Sequence, residues 1–175
     1  TNSLNGVVVI IGGGNTAIDA ARSAMRLGAK EVHIFYRRSI SDMPADSREI
    51  RDAIEEGILI HEMMAPVTIN GKDKVESIEF IKMQFKGFDS SGRKVPVKIE
   101  GSEFSFDVDV VVPAVSQYSD LPFVSRDEVE VTKWGTFVVD SETKMTTMDG
   151  VFAGGDVVRG ADVVITAIAD GKDVA

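Results

Sequence analysis

The regular pattern of the chain opens at Gly6-Val-Val-Val-Ile-Ile11, an unbroken apolar run rich in β-branched residues. Such a run, with no polar alternation, reads as a parallel strand buried on both faces. Glycines at 12, 13 and 14 end it. From Asn15 to Leu27 the apolar residues Ala17, Ile18, Ala21, Ala24 and Met25 recur at helical spacing, with Arg22 and Arg26 on the opposite side. Thr16 and Asp19 have capping-box spacing, and Gly28 stands where a helix stops. Glu31 to Tyr36 reads as a second strand, so residues 6–36 form a βαβ unit whose crossover is expected to be right-handed. A second helix is expected from Pro44 to Glu56: proline suits a first turn, Ile50, Ala53 and Ile54 share a face, and Gly57 follows. Ile58 to His61 is the third parallel strand.

Beyond His61 the pattern changes from alternating strands and helices to a meander. Val67–Ile69, an Asn70-Gly71 turn, Val75–Phe85, a loop at Gly87–Gly92, and Val95–Ile99 read as antiparallel strands and their connections. Ile81, Met83 and Phe85 face one way; Lys82, Gln84 and Lys86 face the other. Phe104–Phe106 precedes Val108–Val115, whose apolar character predicts a return to the sheet begun at Gly6. The remainder, 118–175, has a polar loop at Tyr118–Pro122, strands expected at Val129–Thr132 and Thr136–Val139, then Val151-Phe-Ala153, Gly154-Gly155-Asp156 and an Ala- and Ile-rich helix from Ala161 to Asp170. There is no internal repeat.

Composition narrows the function. In 175 residues there are 28 acidic and 19 basic side chains, a net charge of -9, which repels nucleic acid and anionic lipid. The absence of cysteine excludes disulfides, thiolate zinc sites and iron–sulfur ligation within this chain and suits the cytoplasm. No apolar run is long enough for a membrane helix. The first residue is not Met and the last lies inside a helical pattern, so a piece of a longer protein is expected.

Gly12-x-Gly14-x-x-Ala17, between a buried strand and a helix, matches the dinucleotide fingerprint. Gly12 serves the tight turn, Gly14 lets backbone approach a pyrophosphate, and Ala17 lets helix pack on strand. About 20 residues on, where an NAD site carries an acid for the ribose 2′-hydroxyl, this sequence has Tyr36-Arg37-Arg38-Ser39. Two guanidiniums there suit a 2′-phosphate, so NADP(H) is preferred over NAD(H). The plainer alternative makes Arg37 and Arg38 a solvated pair balancing Asp42 and Asp46. His33 and His61 lack metal-ligand spacing and read as structural. Glu55-Glu56 and Asp127–Glu130 read as solvated surface, and Met63-Met64 as gap filling. Asp156 either bonds a polyol or caps a helix; local physics leaves both open.

Val8–Arg22, Gly28–Val32, Tyr36-Arg37-Arg38, Met43-Pro44 and Glu55-Glu56-Gly57, with the later Val151–Lys172, resemble the glutamate synthase small (beta) subunit family. Its relatives include a ferredoxin-NADP transhydrogenase subunit and dihydropyrimidine dehydrogenase. The resemblance implies an FAD domain split by an inserted NADPH domain, preceded by a cysteine-rich iron–sulfur region. It implies that Gly12, Gly13, Gly14, Asn15 and Thr16 hold the pyrophosphate, Arg37 and Arg38 the 2′-phosphate, and Asp156 the ribityl or pyrophosphate region of FAD. The chain departs from the family at Ala114-Val115-Ser116-Gln117, where a glycine is usual; a side chain there is expected to alter the backbone or its approach to nicotinamide.

The expected fold is therefore α/β: a Rossmann-like NADP(H)-binding domain over 1–117, with a parallel sheet and an antiparallel meander, and a remnant of a split FAD domain over 118–175. The expected function is hydride transfer from NADPH to FAD, with electrons leaving through iron–sulfur clusters in the intact protein. FAD and clusters belong to that intact protein, whose missing FAD half, iron–sulfur region and a large catalytic subunit would be the partners. No metal site and no catalytic side chain are expected in this chain, which alone should bind nucleotide and catalyse little. A stand-alone NADP(H) sensor and a flavin-independent reductase are the alternatives.

Overall fold

The computed structural model describes residues 4–90, 92–122, 124 and 128–174. Two compact units divide the chain, Thr1–Val115 and Ser116–Ala175. In the first, β1 (Val7–Ile11), α1 (Asn15–Arg26), β2 (Glu31–Tyr36), α2 (Ser47–Glu55) and β3 (Leu59–Glu62) alternate, with a short 3-10 turn at Ile40–Asp42. Then come β4 (Met64–Asn70), β5 (Ser77–Phe88), β6 (Lys94–Lys98), β7 (Phe104–Asp107) and β8 (Val110–Pro113). β8 rejoins β1 in parallel, giving the order β3-β2-β1-β8. The meander forms a second sheet of order β4-β5-β6, with β7 also on β5.

The unbroken apolar run of β1 now has its reason. Because strand side chains alternate between faces, Val8 and Ile10, with Val32 and Ile34 of β2, pack on Ala17, Ile18 and Ala21 of α1 and Ile50 and Ala53 of α2. Val9, Ile11 and Phe35 point the other way, onto Ile78, Phe80 and Val108. The unit thus has three layers: helices, parallel sheet, antiparallel sheet. Each fully buried Val, Ile or Phe contributes about 1.5–3 kcal/mol.

Both glycine stops hold. Gly28 has φ 87°, its N–H donates to the Met25 carbonyl at 3.0 Å, and Ala29 N–H reaches the Ala24 carbonyl at 3.1 Å. Gly57 (φ 91°) repeats the pattern with Ile54 and Ala53. These are Schellman closures, which satisfy the last carbonyls of a helix. The expected helix starts need correction. α1 is capped by Gly14 with no side-chain bond, and Thr16 and Asp19 are exposed. α2 begins at Ser47, not Pro44, because the Asp46 carboxylate accepts the N–H groups of Arg48 and Glu49. Asn70-Gly71 is not a two-residue hairpin: Asn70 pairs with Ser77, and the Glu76 N–H closes the loop on the Asn70 carbonyl at 2.9 Å.

Ser116–Ala175 is built differently. The expected strands at 129–132 and 136–139 reduce to a single antiparallel bridge, Val131 to Phe137; two more join Val139 to Thr146 and Met145 to Phe152. One helical turn, α3 (Asp156–Arg159), precedes α4 (Val164–Val174), which starts and ends later than Ala161–Asp170. Among the described residues no helix is long and apolar enough to cross a membrane.

Candidate functional site

The glycine loop is formed where β1 ends. Gly12 has φ 149°, its N–H donates to the Phe35 carbonyl at 3.1 Å, and a Cβ there would strike the Ala114 carbonyl. A Cβ on Gly13 would lie 2.6 Å from the Tyr36 ring. Packing within the chain therefore demands glycine at both positions. Gly14 is different: nothing of the chain lies within 4 Å of where its Cβ would be. Its backbone (φ -89°, ψ 177°) is open to any residue, so the fold itself does not require glycine. Beyond it, no described acceptor takes the N–H groups of Asn15 or Thr16, the first-turn donors that a helix leaves unsatisfied. A vacant approach and uncommitted donors at a helix amino end fit an anion.

β2 ends at Tyr36, whose ring lies against Gly13, and Arg37 and Arg38 follow it. Tyr36 donates its hydroxyl to the Asp42 carbonyl at 3.0 Å. Arg37 is exposed, whereas Arg38 keeps only 9% exposure. No described residue pairs with either guanidinium by hydrogen bond or ion pair. The two acids considered as their counter-charges are occupied: Asp46 caps α2, and Asp42 accepts the Ser39 hydroxyl. That hydroxyl, then Lys94 and Arg38 through their charge, hold the Asp42 carboxyl below its ordinary value. The stem of Arg38 is covered while its guanidinium nitrogens still reach solvent, which leaves them open to an anion.

Several smaller expectations change here. Glu56 is not simply solvated: it accepts from Arg22 at 2.6 Å and Arg26 at 3.1 Å, fastening α1 to the end of α2, and the Arg22 hydrogen bond lowers its pKa. Glu128 and Glu130 are exposed, and Asp127 lies outside the described residues. Met63 takes φ 56° where the chain passes from β3 to β4, its N–H bonded to the Arg38 carbonyl at 3.0 Å; Met64 packs against the core. His33 and His61 meet, Nδ1 to Nε2 at 2.9 Å, among Phe35, Phe80 and Phe106. Burial, then the neighbouring His33, pushes the His61 pKa down.

In the second unit Asp156 is exposed at the start of α3 and makes no capping bond. Sequence reasoning missed what holds it. Asp170, 2% exposed, accepts Gly155 N–H at 2.8 Å and both Nε (2.8 Å) and Nη2 (2.6 Å) of Arg159, and the Arg159 bonds hold its carboxyl far below the ordinary range. A Cβ on Gly154 would lie 2.6 Å from Asp170 Cβ. Nothing local marks Asp170 as different from any helix-face acid. Ser116, where a glycine is usual in the family it resembles, takes φ 93°: the glycine-favouring backbone persists despite the side chain.

A parallel sheet with a glycine loop between first strand and first helix defines a class, the dinucleotide-binding α/β proteins. Within it, the chain belongs to the pyridine nucleotide-disulphide oxidoreductase family, whose profile matches residues 2–171. It is 46% identical over 175 residues to the beta subunit of the NADP(+)-dependent formate dehydrogenase of Moorella thermoacetica, covering 99% of this chain and 25% of that protein. It is 45% identical over 170 residues to the glutamate synthase (NADPH) small chain of Azospirillum brasilense, covering 96% and 35% respectively. The glutamate synthase resemblance is thereby borne out, and the chain spans about a quarter to a third of these relatives. Among solved structures, T. acidophilum thioredoxin reductase matches with a TM-score of 0.75 at 24% identity, over 96% of this chain and 50% of that one. Mycobacterium tuberculosis FprA in complex with NADPH matches at 0.74 and 19%, over 98% and 51%. Both likenesses establish the α/β fold.

Proposed function

We propose that this chain is the NADP(H)-binding portion of a flavin-dependent oxidoreductase resembling the glutamate synthase small subunit. The observation that carries the reading is the pairing of a vacant approach at Gly14 with Arg37 and Arg38 just past the next strand, whose guanidiniums no described residue binds by hydrogen bond or ion pair. Gly12, Gly13 and Gly14 bring backbone up to the pyrophosphate, and the N–H groups of Asn15 and Thr16 donate to it with the positive end of α1 behind them. Arg37 and Arg38 fork onto the 2′-phosphate. The exposed Asp156 stands at the ribityl or pyrophosphate region of FAD, where its carboxylate can accept from ribityl hydroxyls. With NADPH and FAD bound in the intact protein, the nicotinamide would supply a hydride to the flavin, and the two electrons would leave one at a time to iron–sulfur clusters with release of the proton. This chain orients; none of its side chains acts as acid or base. The rest of the FAD domain, the cluster-bearing region and a large catalytic subunit are the partners, in the cytoplasm.

Calorimetric titration of this chain with NADPH and NADH in parallel tests the reading. At least about tenfold tighter binding of NADPH, near 1.4 kcal/mol, is expected; equal affinities, or binding of neither, would overturn it. Stoichiometric flavin copurifying with this chain alone would contradict the division of the FAD site.

A further inference from the structure

The segment between Arg38 and α2 is tied to the glycine loop by groups that need not contact nucleotide at all. Ala45 N–H donates to the Gly13 carbonyl at 3.2 Å. Asp46 N–H donates to the Asn15 side-chain Oδ1 at 2.9 Å, and the Asp46 carboxylate in turn caps α2. At the other end of the segment Tyr36 lies against Gly13 and bonds the Asp42 carbonyl, while Ile40 N–H donates to Glu62 Oε2 at 2.8 Å. The stretch that begins at the arginine pair thus ends fastened to the first residue of α1.

We propose that the Asn15 side chain is a positioning residue for the choice between NADPH and NADH, acting through this strap on Arg37 and Arg38. The inference rests on the nucleotide site proposed above and assigns the side chain a part separate from its backbone N–H. A nucleotide's pyrophosphate and 2′-phosphate are covalently linked through one ribose, which limits their separation, so both are bound well only if the two anchoring loops stay within that span; small displacements of a positioned group are costly. NADH, which lacks the second phosphate, is insensitive to that separation. Asn15 is exposed at the first position of α1, so replacing its side chain leaves the core untouched.

The test titrates Asn15→Leu, Asn15→Ala and Asn15→Asp with NADPH and NADH, with thermal melting as a check on folding. The Leu and Ala variants, lacking the acceptor, are expected to lower the NADPH-to-NADH affinity ratio about tenfold, near 1.4 kcal/mol, whatever loss the two nucleotides share. Asn15→Asp keeps an acceptor for Asp46 N–H and is expected to keep the wild-type ratio, even where its charge weakens both nucleotides. In an Arg37→Ala/Arg38→Ala background, Asn15→Leu should leave the NADPH-to-NADH ratio where the arginine variants put it. Equal losses for the two nucleotides would place Asn15 on the shared pyrophosphate and overturn the strap, as would an unaltered ratio or full additivity with the arginine variants. Failure of the wild-type chain to bind either nucleotide would instead refute the site itself.

Discussion

In Thr1–Val115 the large side chains of the two central strands are sealed: Val8, Val9, Ile10 and Ile34 have no exposed surface. In Ser116–Ala175, α4 alone leaves Val164, Ile165 and Ile168 at 76%, 69% and 49% exposure, and Trp134 stands at 74%. The first unit is held by continuous ladders covered on both faces. The second is held by single bridges and by polar devices of one or two residues, such as Asp140 accepting from Glu142 and Thr143, and Asp170 gripping Gly155 and Arg159. Apolar area closed within a unit stabilises it, whereas isolated hydrogen bonds add about 0.5–1.5 kcal/mol each, or about 1.5–3 to a charged group. Cooperativity should therefore differ sharply between the two.

The largest expected effect is in the first unit. Ile10→Ala removes a side chain enclosed by both helices and should cost about 2–5 kcal/mol, read by chemical denaturation. Hydrogen exchange sharpens the contrast without mutation: amides of β1, β2, α1 and β5 should be the most protected, while those of 129–152 exchange orders of magnitude sooner. Equal protection in the two units would break the comparison.

A smaller effect comes from the histidine pair. Burial lowers the His61 pKa below its ordinary 6.5, so the unfolded chain takes up a proton there before the folded one. The contribution is fully present above pH 6.5 and falls as pH drops through the lowered folded value. His33 and Glu31 face the same cluster, and their hydrogen bonds bear on the same titration. Melting temperature of the native chain should decline below pH 6.5 more steeply than that of His61→Gln; parallel declines would exclude the pair as the cause. Smallest is Ser116→Gly, which relieves a side chain at φ 93° and should stabilise by up to about 1 kcal/mol, read by thermal melting.

What could be read from sequence was what is decided locally. Gly28 and Gly57 stop helices because left-handed backbone favours glycine, and the β1 run announced a strand covered on both sides. α2 starts later than Pro44 suggests because Asp46 and Glu49, which carry capping-box spacing, set its first turn. The Asn70-Gly71 dipeptide suggested a tight hairpin, but pairing across β4 and β5 sets the turn at Ser77. At the candidate site, the glycines and arginines were legible as a motif. The Asn15 strap, the His33–His61 contact and the Asp170 clamp were not, since each joins residues far apart in sequence and exists only once strand register and helix packing are fixed.

The most direct test of the proposed nucleotide site is a calorimetric comparison of the wild-type chain with Arg37→Ala/Arg38→Ala, each titrated with NADPH and NADH. The double variant should lose the preference for NADPH, at least about tenfold, while NADH affinity stays as it was. A preference that survives removal of both guanidiniums would contradict the assignment of the second strand's end to the 2′-phosphate.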